Sequence, residues 1–68
     1  MNGIDKAIDV ADGVGKLANL IGEKQPTVSN WRAKGYVPAA KCQRVHRALG
    51  GRVSMAELNP EAFGEPDA

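Results

Sequence analysis

Cys42 and His46 stand four residues apart in a stretch with helical spacing, which puts both on one face of a helix. That spacing suits two ligands of a metal ion, and a thiol beside an imidazole suits a nucleophile with its base. The chain has no second cysteine or histidine to complete a metal site. Neighbouring helical positions alone supply neither a cleft nor a third orienting group for a nucleophile. Cys42 is therefore expected as a small core residue with His46 at its edge. No metal, cofactor or catalytic residue is assigned, and no constellation supports an enzyme.

The second chemistry is charge, and its distribution says more than its total. The net +1 of the 68 residues divides into −2 over residues 1–23, +7 over residues 24–52 and −4 over residues 53–68. Lys24, Arg32, Lys34, Lys41, Arg44, Arg47 and Arg52 make up the middle block, which contains no acid. A solvated face mixes signs, whereas a field of one sign confined to a segment attracts an opposite partner. Phosphate is the expected partner. Lys41, Arg44 and Arg47 are candidates for a phosphate contact or for an ordinary solvated face.

Helices must position these groups. Asn2, with Asp5 three residues on, marks a helix start, and Ile4, Ala7, Ile8 and Ala11 follow at i, i+3, i+4, i+7. Asp12 or Gly13 can cap a second helix carrying Val14, Leu17, Ala18 and Ile21, which Gly22 closes. A third opens near Gln25 with Pro26 in its first turn, buries Val28 and Trp31, and ends at Gly35. Pro38 starts a fourth, with Cys42, Val45 and Leu49 facing inward and Gly50–Gly51 stopping it. Ser54 and Glu57 form a possible capping box for a short fifth helix with Met55 and Leu58. Asn59–Pro60 is expected to end that helix and Phe63 to fold back onto the core. Strand-like alternation and internal repeats are lacking, so the fold class is all-α with five short helices.

The second and third helices are joined by Gly22-Glu23-Lys24 alone, so they must cross steeply. Ala18 keeps their approach close, Gly22 follows four residues later, Val28 six after that, and Trp31 three beyond. These positions meet the spacing of a helix-turn-helix over about residues 14–34. Domain organisation follows as one domain over residues 1–63 and a flexible acidic tail over 64–68.

With Val28 and Trp31 fixing the buried direction, and about 100° of rotation per residue, Pro26, Ser29, Asn30 and Ala33 point away from the core. Gln25 and Lys24 lie at the leading end. Gln and Asn amides pair bidentately with adenine, Ser bonds several base edges, and Pro can touch a thymine methyl. Gln25, Ser29, Asn30 and Pro26 are therefore the candidates for reading DNA bases. Lys24, Arg32 and Lys34 suit phosphates, as does Lys16 beside the free N–H groups of the second helix.

The run from Leu17 to Phe63 resembles the YdaS-like group of Cro-type phage and prophage repressors. Gln25-Pro26-x-Val28-Ser29-Asn30-Trp31, Gly35-x-Val37-Pro38 and Gly50-Gly51-Arg52-Val53-Ser54, with Glu57-Leu58-x-Pro60-x-x-Phe63, carry the likeness, which covers about residues 13–63. It implies a lambda-repressor-like helix-turn-helix fold and a dimeric bacterial or prophage transcriptional repressor; some relatives are described as antitoxins. Two positions depart from the family's pattern. Lys24 stands where a Ser or Thr usually caps the recognition helix, and Val14 where a Gln usually clamps a phosphate.

Two classes of function follow. One is a sequence-specific repressor binding a palindromic double-stranded operator as a homodimer, with half-sites about one helical turn apart. The other is an antitoxin-type interaction module that binds a toxin or other protein partner and regulates its own gene. The acidic 53–68 segment is where a partner or second subunit is expected to dock. The lone cysteine, and the lack of a leader or a span approaching ~20 apolar residues, give a cytoplasmic expectation.

Overall fold

The computed structural model describes residues 2–64, so the expected 64–68 tail lies outside the described residues except for Gly64. Six helices follow in order: α1 Gly3–Ala11, α2 Val14–Ile21, α3 Gln25–Lys34, α4 Ala39–Ala48, α5 Met55–Leu58 and α6 Pro60–Phe63. No strand occurs among the described residues.

Capping explains the boundaries. The Asn2 side chain accepts the Asp5 N–H at 2.9 Å and starts α1. Asp12 then closes α1 in the left-handed region (φ 73°), with the Gly13 N–H reaching back to the Ile8 carbonyl. Gly13 is the N-cap of α2 and offers no side-chain bond. Gly22, at φ 72°, closes α2 in the same way, with the Glu23 N–H on the Ala18 carbonyl at 2.9 Å. Here glycine costs little because it carries no Cβ. Pro26 sits in the first turn of α3, where its missing N–H has no partner to lose.

The core is one cluster: Ile4, Ala7, Leu17, Ala18, Ile21, Val28, Trp31, Val37, Cys42, Val45, Leu49, Val53 and Leu58. Val28 is fully buried and Trp31 only 4% exposed, so the α3 register matches the expected stripe. Val37, between α3 and α4, is tied on both sides of its backbone. Its N–H donates to the Leu58 carbonyl at 2.9 Å, and its carbonyl accepts Asn59 Nδ2 at 2.9 Å.

The C-terminal region corrects two expectations. Asn59–Pro60 does not simply end α5; it begins a sixth helix, so the described residues hold six rather than five. Asn59 Oδ1 accepts the Ala62 N–H at 3.0 Å while its amide holds Val37, which makes one buried side chain both cap and tether. Phe63 does not fold back onto the core: it is 38% exposed.

The two ends of the chain meet where α5 crosses α1. Gly3 is buried, and a Cβ there would run into the Glu57 backbone carbonyl. Lys6 Nζ lies 2.7 Å from the Glu57 carboxylate, which also accepts the Ser54 N–H at 3.0 Å as half of a capping box. The Lys6 bond, followed by the Ser54 N–H, lowers the Glu57 pKa from 4.5 to about 2.

Trp31→Ala is expected to cost about 3–5 kcal/mol, as large-to-small core changes do. That is the whole net stability such a core supplies, so circular dichroism should show a largely unfolded chain. A parent-like melt would contradict the α3 register. A depressed carboxylate stabilises above its unfolded pKa and ceases to do so as pH falls through its folded value. Stability from Glu57 should therefore be complete above about pH 4.5 and be lost toward about pH 2. Glu57→Gln should flatten that limb of the melting-temperature profile, and an identical limb in the variant would exclude Glu57 as its source.

Candidate nucleic-acid interface

Helix α3 divides sharply between its two faces. Val28 and Trp31 turn inward, whereas Gln25, Pro26, Ser29, Asn30 and Ala33 are all exposed. The four residues expected to read bases thus share the outer surface of one helix. Nothing among the described residues covers them. The Gln25 amide also lies against the first turn of α2: a Cβ on Gly15 would sit 3.8 Å from it. The leading end of α3 and the start of α2 are therefore side by side.

The basic residues separate into two groups. Lys24, the N-cap of α3, and Lys34, in its last turn, are exposed and make no ion pair among the described residues. Lys16 instead holds Asp12 at 3.1 Å, and Arg32 holds Asp5 of α1 at 3.7 Å. Both pairs are solvent-exposed, and exposed pairs contribute little and exchange readily. All four expected phosphate residues reach solvent, but two of them have a carboxylate beside them. The family pattern's missing cap is visible too, because Lys24 offers α3 no side-chain bond.

Glu23 was not among the expected site residues. Its side chain is only 17% exposed, and its carboxylate lies 2.9 Å from Lys41 Nζ and 3.7 Å from Arg44 Nη1. Arg44 Nη1 also donates to the Ile21 carbonyl at 3.3 Å, at the end of α2. Two of the seven bases in the +7 block are therefore turned onto the helix-turn-helix connector. Its position inside that connector was the only local signal; the bases come from α4, which only the fold brings near.

Cys42 and His46 do not act as a pair. The Cys42 thiol donates toward the Val37 and Pro38 carbonyls, both at 3.4 Å, and burial raises its pKa. His46 Nδ1 lies 2.8 Å from the Val53 carbonyl. Each group serves its own backbone partner.

A short connector, a buried Val28–Trp31 stripe and an exposed polar outer face define an all-helical helix-turn-helix protein. The chain belongs to the family described as bacterial toxin YdaS, whose pattern matches residues 4–67. It is 33% identical over 57 residues to YdaS of Escherichia coli (strain K12), a protein named as a candidate transcriptional regulator. That match covers 82% of this chain but 58% of the relative's length. The Cro protein from prophage element Xfaso 1 in Xylella fastidiosa strain Ann-1 has 45% identity and superposes with a TM-score of 0.88. This likeness covers 96% of this chain and all of that one.

Asn30→Ala should relax base preference at one operator position by about 1–3 kcal/mol, the size of a bidentate amide–adenine pair. Lys34→Ala should weaken all sequences alike, since phosphate is the same everywhere. Both variants should melt within about 0.5 kcal/mol of the parent. A competition panel varying every operator base distinguishes them, and a uniform loss for Asn30→Ala would remove that residue from the reading set.

Proposed function

We propose that this chain is a DNA-binding transcriptional repressor of Cro type that occupies a palindromic operator as a homodimer. The observation that carries the reading is the exposed face of α3. Gln25, Pro26, Ser29 and Asn30 stand over a buried Val28–Trp31 stripe, with Lys24 and Lys34, which make no ion pair among the described residues, at the two ends. Such a helix enters the major groove with amides and hydroxyls toward base edges, while lysines on either side hold the phosphate rails. The likeness to a Cro protein along nearly the whole chain supports the same reading. No catalytic role is assigned to any residue.

A palindromic operator requires two copies related by a two-fold axis. A shallow groove lined by Tyr36, Asn59, Pro60, Glu61 and Ala62, with Phe63 exposed on the same helix, supports a second copy docking at this end of the chain. An antitoxin-type module that binds a partner protein is a second reading, favoured by the toxin in the family's description. That reading predicts capture of a partner protein, with no palindromic operator bound by the isolated chain.

The decisive experiment is a mobility-shift titration against DNA flanking the chain's own gene, repeated at several salt concentrations. The logarithm of the binding constant should fall with the logarithm of salt by about 0.9 per phosphate neutralised. A slope near zero between about 50 and 200 mM salt, or the absence of any shifted duplex, would sink the repressor reading.

A further inference from the structure

We propose that Glu23 limits sequence-independent attraction to DNA by holding Lys41 and Arg44 away from phosphate. The inference rests on the DNA-binding reading above. Glu23 directly precedes Lys24 and Gln25, so its two basic partners stand next to the leading end of the recognition helix. Without the carboxylate they would be two more cations beside the phosphates that flank the groove.

A carboxylate and a phosphate oxygen are alternative acceptors for the same ammonium or guanidinium. Glu23 wins that competition through position. It is carried by the connector itself, and its side chain is 17% exposed. Lys41 and Arg44 are themselves 38% and 55% exposed, but the acids that pair with Lys16 and Arg32 are more open than Glu23, Asp12 at 85% and Asp5 at 43%. A less exposed pair is less screened by salt and water. Arg44 is held twice, because the nitrogen nearest Glu23 also donates to the Ile21 carbonyl at 3.3 Å. Phosphate must therefore displace a carboxylate from Lys41, and both a carboxylate and a backbone carbonyl from Arg44.

The result is a division of labour among the bases. Lys24 and Lys34 are available to phosphate, whereas Lys41 and Arg44 brace α4 against the connector. Phosphate contacts strengthen binding to every duplex equally. Glu23 therefore leaves base preference untouched and keeps the chain from adhering to DNA at large.

The test measures binding of a random-sequence duplex and of the operator across a salt series. Glu23→Gln should bind the random duplex more tightly, with a log–log slope more negative by about 0.9 to 1.8, one or two phosphates' worth. Its base preference should be unchanged, and Glu23→Asp should keep the parent slope. Lys41→Gln tests the idea without touching Glu23. It should leave the slope as in the parent, while Lys34→Gln flattens it by about 0.9. A parent-like slope in folded Glu23→Gln, or a Lys41→Gln slope as flat as that of Lys34→Gln, overturns the proposal. If Glu23→Gln fails to fold, the Lys41→Gln comparison decides. A near-zero slope in the parent itself removes the DNA reading, and this proposal falls with it.

Discussion

Three residues carry the chain from the last turn of α2 into the first turn of α3, and nearly everything else follows from that economy. So short a connector forces a steep crossing. It works only if the two helices can come close and if the backbone can reverse. Ala18, 3% exposed, leaves room at the crossing, and Gly22 takes the left-handed turn. Val28 and Trp31 then have to point inward, because the crossing puts that face of α3 against the core. The outward set of Gln25, Ser29 and Asn30 is fixed as a remainder. The polar face is aimed by the packing of the apolar one.

A core this small has little margin, and the fold secures its linkers with polar bonds. Asn59 shows how. It is the one buried polar residue among the described residues, and both ends of its amide are used. Buried polar groups are tolerable only when their hydrogen bonds are satisfied, and this one joins the α3–α4 linker to the start of α6. The charge network does similar work at the surface, joining α4 to the connector through Glu23 and α1 to α5 through Glu57.

Helices α1 to α4 were legible because periodic apolar spacing and capping residues agree at each boundary. The exposed outer face of α3 was legible for the same reason, since one buried stripe determines its opposite. The sixth helix was not. Asn-Pro is a good stop for one helix and an equally good start for the next, and the local sequence is identical in both cases. What separates them is the bond from Asn59 to Val37, which spans 22 residues. The sorting of bases was hidden for a related reason. Lys24 and Lys41 belong to the same one-sign block, yet among the described residues only Lys41 has a carboxylate waiting for it across the fold. Runs of charge are visible in sequence; their neighbours in space are not.

Gly3 has a kinetic side. The helix-turn-helix joins neighbouring segments, so its contacts need only short loops to close. The bond between Lys6 and Glu57 spans 51 residues, and Gly3 packs against the same turn. Loop-closure entropy rises with the logarithm of the loop's length, so among the described side-chain bonds the one that brings α5 to α1 closes the costliest loop. Contacts of high sequence separation are the slow ones to form. A side chain at position 3 would obstruct the packing of α5 on α1 while leaving the α2–α3 crossing untouched, which makes this glycine the latch of the fold.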